Sequence, residues 1–257
     1  MALSVITVPC LSDNYAFIIR CTDTGITAVV DAPEASPILT ELEKQQWGLD
    51  LILITHHHSD HIDGIDKLKD TTGAKIIGAK LDKHRLPFLN TAVVDGDTIS
   101  IGNSNAKVIN TSGHTMGHIS FYFNNDHKIF SGDSLMALGC GRIFEGTPEI
   151  MWNTLKKFMA LPPKTMIYSG HEYTANNAKF ALSIDPTNKR LVERAQTIKT
   201  LRIKNKSTIP SMLELEMATN PFLRSSIPSF KELFGMNGSS AVEVFTKVRI
   251  LKDNFKS

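Results

Sequence analysis

The run Leu49-Asp50-Leu51-Ile52-Leu53-Ile54 leads directly into Thr55-His56-His57-His58-Ser59-Asp60-His61. Six residues rich in Leu and Ile, bounded by polar ones, predict a buried strand. Four imidazoles and a carboxylate therefore fall where that strand leaves its sheet, a usual place for chemistry on α/β scaffolds. Successive side chains of an extended segment point to opposite faces, so His56 and His58 project together and His57 projects away. Asp60 and His61 follow as the chain turns and offer an oxygen and a nitrogen beside the first pair. This arrangement suggests two metal ions rather than one.

Three more ligand-type residues stand at similar junctions. Lys107-Val108-Ile109-Asn110 precedes Ser112-Gly113-His114, Lys128-Ile129-Phe130 precedes Ser131-Gly132-Asp133, and Met166-Ile167-Tyr168 precedes Ser169-Gly170-His171. Each is a short apolar strand, a Ser-Gly turn signal and one donor side chain. Of the nine histidines, His57, His84, His118 and His127 receive no ligand role. His57 is expected to orient its loop or face solvent, His84 and His127 to lie in surface and turn segments, and His118 to pack near the site without coordinating. A nitrogen-rich donor set with a few carboxylates suits zinc, iron or manganese better than magnesium or calcium. Cys10, Cys21 and Cys140 have no partner at zinc-finger spacing, and no Gly-x-Ser-x-Gly elbow is present, so a water-derived nucleophile is expected. A thiol of pKa roughly 8.5 leaves without an acid, whereas an amine must be protonated; a thioester is therefore compatible with such a site, while a metal-bound water or Asp60 as proton donor leaves other substrates open.

The order H-x-H-x-D-H, then a lone His, a lone Asp and a lone His, is similar to the metallo-β-lactamase superfamily. More narrowly, Gly139-Cys140-Gly141-Arg142-Ile143-Phe144-Glu145-Gly146, Gly170-His171-Glu172-Tyr173-Thr174 and Asn220-Pro221-Phe222-Leu223-Arg224 resemble glyoxalase II, the hydroxyacylglutathione hydrolases. The likeness spans essentially the whole chain, including a C-terminal third that the wider superfamily does not share. It implies an αββα sandwich with a C-terminal helical domain. It also implies one metal held by His56, His58 and His114 and another by Asp60, His61 and His171, with Asp133 bridging. Asp60 and Asp133 would then stand at the reacting centre, and Arg142, Tyr173, Arg249 and Lys252 would contact glutathione. The implied reaction is hydrolysis of S-D-lactoylglutathione to glutathione and D-lactate, with zinc foremost and iron or manganese as alternatives. Phe144 stands where some members carry tyrosine, and Ser112 and Met116 where relatives often carry proline. Two other readings are a persulfide dioxygenase with a single iron and a binding protein that kept its ligands but lost the chemistry.

The chain of 257 residues is long enough for two structural units, placed at 1–173 and 174–257. The first alternates strands with helical patterns at 35–46 and 148–160. The second is mainly helical, with segments at 188–204 and 241–256. In the last of these Val244, Val248, Leu251 and Phe255 form an apolar stripe with Arg249 and Lys252 beside it. A net charge of +2 gives no general attraction to nucleic acid, and the cations between Lys189 and Lys206 read as a solvated helix surface. No run of eighteen apolar residues predicts a membrane span, and residues 1–11 read as a first strand rather than a signal peptide. Three scattered cysteines favour a reducing cytoplasm. A monomer acting on a small molecule is the expected state.

Overall fold

The computed structural model describes residues 3–256, so the first two residues of the predicted opening strand, and Ser257, lie outside the described residues. One sheet runs in chain order through β1 (Leu3–Cys10), β2 (Asn14–Cys21), β3 (Thr27–Val30), β4 (Leu51–Leu53), β5 (Lys75–Ala79) and β6 (Thr91–Val93). The other contains β7 (Thr98–Ile101), β8 (Ser104–Asn110), β9 (Ile119–Phe123), β10 (Lys128–Gly132), β11 (Met166–Ser169) and β12 (Ser211–Met212). Parallel pairing of β3, β4 and β5 follows from the helices inserted between them, α1 (Ala35–Gln45), the short α2 (Ser59–Ile62) and α3 (Ile65–Thr72), and β6 joins β5 in parallel after a 3-10 turn at Lys80–Asp82 and a loop. The remaining helices are α4 (Pro148–Met159), α5 (Thr174–Ile184), α6 (Lys189–Ile203), α7 (Leu213–Thr219), α8 (Pro228–Glu232) and α9 (Ala241–Asp253).

The period of two in the strands sorts side chains between layers. Phe17 and Ile19 of β2, with Ala28 and Val30 of β3, enter the core between the sheets, where they meet Val108, Phe121 and Phe130 of the second sheet. The alternate residues Ala16, Ile18 and Val29 face outward and pack against Ile38 and Leu42 of α1 and Leu68 of α3. On the far side, Ile129 and Ile167 pack with Trp152 and Leu155 of α4, Phe222 and Phe230 of the C-terminal region, and Val244, Phe245 and Val248 of α9. The result is the expected αββα sandwich with further helices on one side.

Predicted helices at 35–46, 148–160 and 188–204 agree with α1, α4 and α6 to within a residue or two. The predicted helix at 241–256 stops earlier, at Asp253. Asn254 turns its amide back to the Ile250 carbonyl (2.9 Å), while Phe255 still packs edge-on against Phe180. Among the described residues no helix is long and apolar enough to cross a membrane.

Candidate metal centre

β4 ends against β5, and the chain bends at Thr55 and passes through His56, His57 and an extended His58 before turning into α2. His58 immediately precedes α2, which places Asp60 and His61 on its first turn. The glycines preceding Asp133 and His171 permit close approach as well as a turn. A Cβ on Gly132 would sit 2.6 Å from Thr55 Oγ1, and one on Gly170 would sit 2.7 Å from Asp133 Oδ1. The Tyr15 N–H of the first sheet donates to the Gly170 carbonyl at the end of the second (2.8 Å), and the Gly170 N–H donates to the Gly132 carbonyl within the second sheet (3.0 Å).

All seven ligand-type residues singled out in the sequence converge. His56, His58 and His114 bring ligand atoms within 4.8 Å of one another, and so do Asp60, His61 and His171. His58 Nδ1 lies 3.1 Å from His56 Nε2 and 3.0 Å from His114 Nε2, while His61 Nε2 lies 3.3 Å from His171 Nε2. Asp133 faces both groups, with Oδ2 at 3.5 Å from His114 Nε2 and 3.3 Å from His171 Nε2, and Oδ1 at 3.5 Å from His61 Nε2.

The outward ring nitrogens decide what the inward ones can be. His61 Nδ1 contacts Asp31 Oδ2 (2.8 Å), His171 Nδ1 contacts Asp13 Oδ1 (2.9 Å), His114 Nδ1 contacts the Arg142 carbonyl (2.8 Å), and His56 Nδ1 contacts Thr55 Oγ1 (3.0 Å). Each is served when that nitrogen carries the proton, which leaves an Nε2 lone pair aimed into the shared space. Lone pairs about 3 Å apart repel unless a proton or a metal ion lies between them. Asp133 Oδ1 is also buried with no hydrogen-bond partner, an orphan that a cation would satisfy. The donor set fits metal ions.

Charges follow the same geometry. Burial and the surrounding imidazoles hold His56 well below the ordinary histidine range and bring His58 down to about 4. Burial alone would also lower His61 and His171, but Asp133 with Asp31 raises the first, and Asp133 with Asp13 carries the second to about 9. For Asp133 burial pushes upward, yet His171, His61 and His114 outweigh it and keep the carboxyl far below the usual range.

Three supporting residues, Asp31, Asp13 and Asn14, escape sequence reasoning, and a fourth, His118, lies where it was expected. Asp31, in a left-handed backbone conformation (φ 57°), accepts from the Thr55 N–H and hydroxyl (2.8 Å each) as well as from His61. Asp13 braces His171, and Asn14 donates to the Asp60 carbonyl (2.8 Å) and carboxylate (3.1 Å). His118 accepts the Asp133 backbone N–H (3.1 Å), so its other nitrogen donates to Thr111 Oγ1 (2.8 Å). It packs near the site without joining the ligand set. His57 orients its loop through Asp82, as the first of its two expectations had it.

A cavity of about 480 Å³ opens over the centre, and Arg142, Phe144, Tyr173, Arg249 and Lys252 line its walls. The Tyr173 ring stacks on His171 at 4.6 Å. Arg142 is largely exposed. Arg249 is buried, with its guanidinium over Phe222 and its donors on the Cys140 carbonyl (3.0 Å) and Asp253 (2.7 Å), rather than on a solvated face. Lys252 donates to Asn176 Oδ1 (2.6 Å), and burial, with Arg249 and Arg142 nearby, lowers it to about 8.

Two families account for nearly all of the chain. The metallo-beta-lactamase superfamily matches residues 16–171, and the family described as hydroxyacylglutathione hydrolase C-terminus matches residues 172–255. A hydroxyacylglutathione hydrolase of Ruegeria pomeroyi is 51% identical over 255 residues, covering 99% of this chain and 100% of the relative. One from a Jannaschia species is 51% identical over 251 residues, covering 98% of each. The solved structure of ETHE1 from Myxococcus xanthus shares the fold at 22% identity and a TM-score of 0.67, covering 100% of this chain and 92% of that one.

Proposed function

Because the chain belongs to the hydroxyacylglutathione hydrolases, with a metallo-beta-lactamase domain followed by their C-terminal family, we propose that it hydrolyses S-D-lactoylglutathione to glutathione and D-lactate, the last step of methylglyoxal detoxification. The observation that carries this reading is the convergence of two His/Asp donor groups at the floor of a cavity with Arg142, Arg249 and Lys252 in its walls. His56, His58 and His114 would hold one metal ion and Asp60, His61 and His171 the other, with Asp133 between them; zinc is the ion proposed, iron and manganese the alternatives. When bound, such ions supply an activated water near neutral pH and positive charge for the carbonyl oxygen.

The chain's own residues do the rest. Arg142 and Lys252 face the two carboxylates of glutathione across the cavity, and Arg249 adds positive potential while holding the Cys140 carbonyl. Tyr173, stacked on His171, forms the wall beside the reacting carbon. Asp133 keeps both donor groups in register through its two oxygens. Asp60, partly exposed and fixed by Asn14, carries the proton released as the water adds. The departing thiol, of pKa roughly 8.5, leaves as a thiolate without needing that proton. A single-iron dioxygenase is not favoured, because the C-terminal third matches the hydrolases' own family. The proposed setting is a monomer in a reducing cytoplasm, consistent with three cysteines that are all free and buried.

Thioester loss from S-D-lactoylglutathione tests the reading on the protein as isolated, after chelation, and after restoring zinc, iron or manganese. Hydrolysis that disappears on chelation and returns with metal is expected. No hydrolysis by any metallated form would overturn it.

A further inference from the structure

His57 is the member of the histidine cluster that the metal-facing set leaves out, and its partners lie on the opposite side of the loop. Arg85 Nη1 stands 3.1 Å from His57 Nε2 and can only donate, so Nε2 accepts and Nδ1 donates to Asp82 Oδ2 (3.2 Å). Asp82 is fully buried, receives Arg85 Nε (3.1 Å) and Nη2 (2.5 Å), and lies so close to Gly117 that a Cβ there would come within 2.1 Å of its carboxyl carbon.

On its outer side Arg85 pairs with both oxygens of Glu145, and Glu145 Oε2 accepts the Met116 N–H (2.7 Å). The backbone N–H groups of Phe144, Glu145 and Gly146 donate to the carbonyls of His114 and Gly113 (3.2–3.3 Å). Four segments are thus tied together: the histidine loop, the turn from Asp82 to Arg85, the loop carrying His114, and the cavity wall made by Arg142 and Phe144. The Phe144 ring stands edge-on to His58 (5.7 Å) and His114 (5.2 Å). Neither Arg85 nor Glu145 lines the cavity, and among the described residues neither side chain bonds to a candidate metal ligand.

We propose that Arg85 and Glu145 are positioning residues whose ion pair fixes the wall made by Arg142 and Phe144 against the histidine loop, and so sets affinity for the glutathione thioester rather than the rate of bond cleavage. The inference rests on the function proposed above. Wild-type hydrolysis is therefore measured first: its absence sinks that function, whereas wild-type turnover with unresponsive variants sinks only the positioning role.

Glu145→Gln keeps an acceptor for the Met116 N–H and gives up the charge, while Arg85→Ala removes the fork. The Arg85–Glu145 pair is partly exposed and of modest worth, so Glu145→Gln should raise KM about three- to fivefold with kcat within about twofold of wild type, and Arg85→Ala, which also strips the buried Asp82 of two donors, should raise KM at least as much. Two substitutions that break one interaction should not multiply, so the double variant should be no worse than the worse single one. Arg85→Lys, which keeps charge without the fork, should fall between. A general loss of structure would instead lower metal content and kcat. An unchanged KM in both single variants, a loss confined to kcat, or multiplying effects in the double variant would each overturn the proposal.

Discussion

Lys252 is the residue whose charge state should be visible in the pH profile. Burial and its cationic neighbours bring it down to about 8, so the free protein carries this ammonium below that pH and loses it above. An anionic substrate needs the charged form. kcat/KM for S-D-lactoylglutathione should accordingly be full below pH 8 and fall through a step of roughly tenfold as pH rises past it, the size of one charged hydrogen bond. Lys252→Met should be low throughout and lack the step; a variant retaining it would assign the titration elsewhere. Asp31 makes a second case. Its oxygens accept from the Thr55 N–H, the Thr55 hydroxyl and His61 Nδ1, so Asp31→Asn must turn an amide N–H₂ toward one of those donors. Asparagine tolerates the left-handed backbone, which keeps the change local. Metal affinity, read by competition with a chelator, should drop roughly 10- to 100-fold, and an unchanged affinity would remove Asp31 from the support of His61. The candidate ligands themselves are legible in the sequence because strand ends and Ser-Gly turns announce them locally. Asp31 and Asp13 are not, because their bonds to His61 and His171 join positions 30 and 158 residues apart.

At the scale of elements, periodicity reads well where one face is buried and poorly where side chains close the end. The apolar stripe of α9 is evident from Val244 and Val248, but its stop at Asp253 depends on an asparagine folding back on its own helix. The ladder of β4 is only Leu51–Leu53, although the apolar run is longer and single backbone bonds continue past both ends, from the Asp50 N–H to the Thr27 carbonyl (2.9 Å) and from the Ile54 N–H to the Ile77 carbonyl (2.8 Å). The burial of Arg249 was equally hidden: its partner, the Cys140 carbonyl, belongs to a loop 109 residues earlier. The other end of α9 offers a test that separates stability from function. Ser240 Oγ accepts the Glu243 N–H (3.3 Å) and the Glu243 carboxylate accepts the Ser240 N–H (2.7 Å), a complete capping box. Ser240→Ala should cost about 1 kcal/mol, seen as a lower denaturant midpoint with unchanged slope. Arg249 and Lys252 lie two to three turns further along, so KM should stay put. A shift in KM larger than the stability loss would mean that fraying reaches the cavity.

Across the whole molecule, the C-terminal region is part of the sandwich. β12 pairs with β11 through Met212 and Ser211, and the outer face of the second sheet is covered jointly by α4 and by residues beyond 173. Phe222, Phe230 and Phe245 are fully buried against that face, each worth roughly 1.5–3 kcal/mol relative to exposure to water. The alternation of strands and helices followed by helices is legible in composition and period, whereas the sharing of one core is not, because it depends on which sheet face the late helices cover. The consequence is that the cavity has one wall from each part, Arg142 before the junction and Arg249 and Lys252 after it, so the proposed substrate site exists only when both are folded. At fixed metal loading, the full chain should therefore melt in a single transition whose van't Hoff and calorimetric enthalpies agree. A chain ending after Tyr173 leaves Ile129, Ile167 and Trp152 without their partners and should be insoluble or lack near-ultraviolet circular dichroism. Two resolved transitions in the full chain, or a soluble shortened chain with fixed tertiary packing, would show that the sandwich closes without its C-terminal helices and that they contribute only the cationic wall.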